Sequence, residues 1–349
     1  MSGGVDSSVS AALLVKKGYR VIGGFIKNWS DTKDVWSGEC AWRGDRRDAM
    51  RVAAALGIPL VTFDFEHLYR TRVIAPMFAA YARGATPNPD VLCNQEIKFG
   101  VFAEAAHRLK ADYIATGHYA IVRRTRDGVA HLMRGRDPDK DQSYFLHRVS
   151  QSALRKTLFP IGRLRKREVR AIAKRLGLST ADRAESMGIC FIGKQPMTAF
   201  LRTRISPKEG NVTDPNGKVI GRHNGLDSVT IGQRHGFRVD VGGGPWYAAA
   251  KDAASNCLVA VPGREHELLY ARAAMIRDLH WIADPPSKGR FSVAVRYRQD
   301  AVPAIVTLKK RSADIVFSSP VFAVAPGQSA VVYRGRECLG GGRIVSARH

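Results

Sequence analysis

Nowhere in the chain do about 18 consecutive apolar residues occur, which excludes a membrane-spanning helix of ordinary length. Nor does the chain open on a basic segment followed by an apolar one. Residues 1–8 are polar and glycine-rich, so the expectation is a cytoplasmic protein with no membrane partner. The five cysteines (Cys40, Cys93, Cys190, Cys257 and Cys338) are odd in number, widely spaced and form no C-x-x-C pair. That excludes a disulfide scaffold and makes a structural zinc site unexpected; no metal ligand set is predicted. A cysteine that matters here matters through its reactivity. Acids are scarce too: 31 Asp and Glu stand against 55 Lys and Arg, a formal charge of +24. Such an excess suits a polyanion, because each neutralised phosphate releases a counterion, although a generally arginine-rich proteome would give the same balance.

What is present is a chain of 349 residues, 45% hydrophobic, long enough for a sizeable core and more than one domain. Residues 1–120 alternate between helical and strand-like patterns. Helices are predicted over 9–17, 45–57, 67–82 and 94–110, and strands over 20–26, 59–65 and 111–117. Alternation of this kind predicts a parallel sheet with right-handed crossovers. A hairpin is predicted over 119–135, turning at Asp127-Gly128. A helix over 163–177 carries seven cations against one acid, Glu168, too lopsided for pairing along one helix, and so predicts nucleic-acid contact. From about 200 onward, turn signals and short strands predict a small β-rich module, and the segments after 270 predict a β-barrel or sandwich. Neither an internal repeat nor a low-complexity tract interrupts this order.

The opening string Ser2-Gly3-Gly4-Val5-Asp6-Ser7-Ser8 stands directly before a helix. It lacks the lysine of a G-x-x-x-x-G-K-[ST] loop. Successive backbone N–H groups and the positive end of the helix can nevertheless enclose a phosphate or pyrophosphate, and Asp6 could help place Mg2+. The plain alternative is a glycine-rich turn, but the whole string resembles the PP-loop of ATP pyrophosphatases. Cys93 lies in "ATPNPDVLCNQEIKFG", where two prolines fix a loop and the cysteine is expected just before a helix, which would stabilise a thiolate. Cys190 lies in "AESMGICFIG". Either cysteine alone is more often a small buried hydrophobe. His118 and His235 are read as structural.

The strings "SGGVDSSV", "GFIKNW", "TPNPDVLCNQEIKFG", "IATGHYA", "DKDQSYFL", "MGICFIG", "TIGQRHG" and "VRYRQ" span nearly the whole chain in order. Together they resemble the tRNA-specific 2-thiouridylase family. The resemblance implies an α/β, Rossmann-like PP-loop domain over 1–200, a small central β-rich domain over 201–263 and a C-terminal β-barrel over 264–349. It also implies ATP-dependent replacement of O2 by sulfur in the wobble uridine of tRNA, with ATP and its associated Mg2+ as cofactors. Ser2, Gly3, Gly4, Val5, Asp6, Ser7, Ser8, Ile26 and Gly117 would then hold the nucleotide. Cys93 would be the catalytic nucleophile, Cys190 the persulfide carrier, and the two would form a transient disulfide. Asp90 would handle a proton. Asn88, Pro89 and Asp90 would meet the target base, splayed out of the anticodon stack. Lys140, Asp141, Gln142, Arg296 and Tyr297 would contact the rest of the tRNA. A cysteine desulfurase or a relay protein would donate the sulfur.

Two departures from the family pattern carry expectations. Its members place a hydrophobic strand before S-G-G-x-D-S, and none precedes it here. The expectation is a start assigned too late and, taken literally, a destabilised domain with weak ATP binding. Ile26 stands where methionine is common, a change of similar volume. Two rival readings are an amide-forming PP-loop synthetase, which needs no cysteine pair, and an RNA-binding protein without catalysis.

Overall fold

The computed structural model describes residues 1–30, 40–184, 196–286 and 288–349. Two short parallel pairs lie in the N-terminal part. Strand β1 (Gly23–Lys27) pairs with β2 (Leu60–Asp64), and β3 (Ile114–Ala115) pairs with β6 (Thr157–Leu158). Helices run between these strands, as the alternating pattern predicts. Helix α1 (Val5–Lys16) starts four residues earlier than predicted, so Val5–Ser8 belong to its first turn and only residues 2–4 form a loop. Gly4 is its N-cap, and Ser8 N–H already bonds the Gly4 carbonyl at 3.2 Å. Helix α2 (Ala41–Ala55) buries Ala49, Val52 and Ala53.

The predicted helix over 94–110 also starts earlier, at Pro89, and runs to Arg108. Asn88 caps it by accepting Asp90 N–H at 3.2 Å, and Pro89 occupies the first helical position, where its missing N–H costs nothing. Cys93–Val101 within it is wound as a π-helix, a wide turn often found at functional sites. The predicted strand over 111–117 shrinks to β3. The helix over 163–177 is Lys166–Arg175, with Val169 and Ala173 buried against α1.

The hairpin forms as β4 (Ala120–Arg124) and β5 (Ala130–Arg134). Its outer partner is unexpected. β5 pairs with the last strand, β17 (Glu337–Arg348), so the hairpin extends the C-terminal sheet. In that sheet β12 (Tyr270–Trp281) pairs with both β15 (Ser312–Phe322) and β17, and β14 (Val302–Leu308), β13 (Gly289–Ala294) and β16 (Ser329–Arg334) complete a closed barrel. Alternation carries it: Ala313, Ile315 and Phe317 point inward, while Val316 faces out, 50% exposed. Between the two units, β7–β11 (residues 210–262) form a five-stranded sheet over its own core of Val212, Ile220 and Leu258.

Candidate functional site

The opening loop is tied into a compact turn. Ser2 N–H donates to Ser7 Oγ at 3.1 Å, and the hydroxyls of Ser7 and Ser8 both donate to the Gly4 carbonyl at 2.9 Å. Gly3 takes a left-handed φ of +76°. The end of β3 presses on this turn so closely that a Cβ on Gly117 would lie 2.7 Å from Ser7 N and from the Asp6 carbonyl carbon. Only glycine leaves the approach open. The result is a helix N-terminus with its first amides directed outward, a geometry that fits a polyphosphate.

Two cations that sequence reasoning did not place at the loop are found there. Lys166 Nζ donates to both carboxylate oxygens of Asp6 at 2.8 Å, and Tyr119 OH donates to Asp6 Oδ1 at 2.8 Å. Arg183 Nη1 donates to the Gly3 carbonyl at 2.8 Å and to Asp48 at 2.6 Å, and its other terminal nitrogen pairs with Asp45. Asp6 is therefore a lysine partner in this structure. Among the described residues no group of acids, histidines and cysteines is arranged to hold a metal ion. The cations of the helix Lys166–Arg175 are also largely committed within the chain: Arg170 to the Ala181 and Arg183 carbonyls, Lys174 to Asp182. The signal was the local excess of cations, read as a surface when part of it serves the loop.

Cys93 sits one turn inside its helix and is 1% exposed, packed in a core with Trp29, Ile74 and Ile97; Ile26 packs on the same core. The expected position just before a helix is thus corrected. The helix N-terminus belongs to Asn88, Pro89 and Asp90, whose acid stands in the first turn, where the helix dipole favours it. Cys190 lies outside the described residues. The loop leading to Asn88 is gripped from the other two units. Lys251 Nζ donates to the Gly84 carbonyl at 3.1 Å, Gln328 Nε2 to the Thr86 carbonyl at 2.8 Å, and Thr86 N–H to the Pro326 carbonyl at 3.2 Å. A Cβ on Gly327 would meet Thr86 N at 2.7 Å. Burial pushes the Lys251 amine down to about 8, against the pull of Asp227.

Lys140, Arg296 and Tyr297 come together in a cleft of about 500 Å3 between the segment 138–144 and the barrel loop 294–300, with Arg134 and Arg298 also on its wall. Asp141 lines the same cleft with its carboxylate already bonded within the chain, and Gln142 turns toward Tyr119. Asp141 accepts from Gly135 N–H, Ser143 N–H and Ser143 Oγ, and Gln142 Oε1 accepts Tyr119 N–H at 3.0 Å. Arg296 is largely buried, donates to the Ile231 carbonyl at 2.5 Å, and is pushed down by burial, while Tyr144 pulls it up.

The segment 140–146 joins all three places. Gln142 bonds Tyr119, which bonds Asp6 of the loop. The Phe145 carbonyl accepts Asn94 Nδ2 at 3.2 Å, next to Cys93, and the Phe145 ring lies 4.3 Å from that of Tyr297 in the cleft. His118 is buried and held neutral by burial, with Lys98 adding to the effect; its Nδ1 lies 2.8 Å from Thr116 Oγ1. His235 is exposed and has no part in these contacts.

Comparison with known proteins agrees with this division. Residues 1–194 match a family model described as a tRNA methyl transferase HUP domain, 198–262 one described as a tRNA methyl transferase PRC-barrel domain, and 271–344 one described as an aminomethyltransferase beta-barrel domain. The tRNA-specific 2-thiouridylase MnmA of Enterococcus faecalis is 46% identical over 351 residues, covering 99% of this chain and 93% of that protein. The protein of the same name from Methylobacillus flagellatus is 46% identical over 354 residues, with 99% and 98% covered. That of Marinobacter nauticus is 47% identical over 352 residues, with 99% and 89% covered. With identity of this order along its whole length, and with the loop, the cysteine helix and the basic cleft joined in one structure, the chain belongs to the tRNA-specific 2-thiouridylase family.

Proposed function

We propose that this protein is a tRNA-uridine 2-sulfurtransferase that replaces O2 of the wobble uridine with sulfur at the expense of ATP. The observation that carries the reading is the junction at 140–146, which links an anion cradle, a buried cysteine helix and a basic aromatic-lined cleft. ATP would lie with its phosphates on residues 2–8 and its base side toward Ile26 and Gly117. Its α-phosphate is attacked by uridine O2, releasing pyrophosphate and leaving AMP as the group to be displaced. Lys140, Arg296 and Tyr297 would hold the tRNA by charge and stacking. Asn88, Pro89 and Asp90 would meet the extruded base, with Asp90 taking a proton.

Sulfur would arrive as a persulfide on Cys190, charged by a cysteine desulfurase or a relay protein. The terminal sulfur attacks C2 and displaces AMP. Cys93 thiolate then attacks the Cys190 sulfur, the persulfide S–S bond breaks, and 2-thiouridine leaves with that electron pair. The Cys93–Cys190 disulfide so formed is returned to two thiols by an external dithiol. Splitting the exchange into covalent steps lowers each barrier. A magnesium ion would travel with the nucleotide and offset its phosphate charge; the described residues form no metal-binding cluster of their own. We further propose a cytoplasmic location. Among the described residues no helix is long and apolar enough to cross a membrane, which is compatible with that reading.

The test is nucleoside mass spectrometry of unmodified tRNA incubated with the protein, MgATP, a dithiol, and a cysteine desulfurase with free cysteine as the persulfide source. New 2-thiouridine with wild type and its loss in Cys93→Ser and Cys190→Ser support the reading. tRNA binding without pyrophosphate release would support a non-catalytic RNA-binding protein instead, and product from the Cys190→Ser variant would overturn the persulfide route.

A further inference from the structure

We propose that Lys166 supplies the phosphate-binding cation that the opening loop itself lacks. This inference rests on the reading of that loop as the ATP site. Residues 2–8 contain no lysine or arginine and do contain an acid, Asp6. Asp6 stands in the first turn of α1, beside the amides that would face the phosphates. Left alone, its carboxylate would oppose a polyphosphate. Lys166, from a helix that begins 160 residues later, removes that opposition by bonding both of its oxygens at 2.8 Å.

The lysine is held for this position. Its side chain is 14% exposed. Its backbone N–H donates to Asp137 Oδ2 at 2.8 Å, and its neighbour Arg165 is capped by Glu168. The ammonium also lies 5.7 Å from the centre of the Tyr119 ring, whose hydroxyl completes the contact to Asp6. Lys166 is the first residue of its helix, which packs on α1, so the starts of two helices meet at the loop. An ammonium there can bridge a carboxylate and a phosphate oxygen, which a guanidinium committed elsewhere cannot. Arg183 is spent on the Gly3 carbonyl and on Asp45 and Asp48. Lys166 therefore recognises the phosphate chain rather than the nucleoside.

Calorimetric titration of the full chain with MgATP, pyrophosphate and AMP tests this. For Lys166→Gln the expected result is a loss of about tenfold or more in affinity for ATP and pyrophosphate, with AMP affected about twofold or less, and recovery of most of the ATP affinity in Lys166→Arg. A purely structural ion pair predicts equal losses for ATP and AMP, and that result overturns the proposal, as does unchanged ATP affinity. Wild type that does not bind MgATP overturns the ATP reading of the loop itself, and the lysine's role falls with it. If Lys166→Gln does not fold, acylation of wild-type lysines followed by mass spectrometry decides. ATP must slow modification of Lys166 more than AMP does, and equal protection overturns the proposal.

Discussion

Cys338, on β17, is enclosed between the hairpin and β16, and burial pushes its thiol far above the usual cysteine range. Cys93 is equally closed off, whereas Cys40 and Cys257 are only half-buried. A thiol reagent applied to the native protein should therefore label Cys40 and Cys257 first and Cys93 and Cys338 only in denaturant; peptide mass spectrometry reads the order. Glu66 gives a pH prediction. Burial raises its pKa, but hydrogen bonds from Ser30, Arg70 and Lys27 outweigh it and hold the carboxyl at about 2. A depressed folded value adds stability above the unfolded range, and this is lost as pH falls toward about 2. Glu66→Gln should lower stability at neutral pH by about 1–2 kcal/mol, with the gap closing below pH about 4.5, as denaturant titrations at several pH values would report.

At the scale of elements, the loop 84–88 is the piece that sequence alone could not supply. Its partners Lys251, Pro326 and Gln328 are distant in the chain and belong to ordinary strand and turn patterns. Gly327→Ala should cost about 1–3 kcal/mol, since its φ of +94° and the contact to Thr86 both resist a side chain. It should also make Cys93 more accessible to alkylation than a control substitution of equal cost elsewhere in the barrel. The start of the Cys93 helix, by contrast, was marked in the sequence but not read from it. Asn88 and Pro89 are an N-cap and a first-turn residue, signals masked only because two prolines within a few residues suggested a longer loop. The hairpin's strands were legible from alternation, but its pairing with β17 was not, because an edge strand carries no mark of its outer neighbour. Cys93 and the opening loop were legible through their motifs. Lys166 was not, since a cation in a basic helix looks the same whether it meets solvent or a carboxylate.

The whole molecule carries a charge of +24, with Arg134, Lys140, Arg296 and Arg298 gathered on one cleft. Affinity for tRNA should fall steeply with salt, by about 10-fold or more between 50 and 200 mM. Arg298→Ala should weaken binding and reduce the slope of log K against log salt by about one, as filter binding would measure. Assembly order is where one pairing has its largest consequence. β5 hydrogen-bonds to β17, and His131 meets Glu337 across a separation of 206 residues. A ribosome delivers the hairpin long before its partner. Throughout that interval the nascent chain presents an open strand edge that β17 later closes. Synthesis of β17 therefore completes the edge of the hairpin as well as the barrel. A prematurely terminated product would carry an exposed edge that chaperones and proteases can recognise.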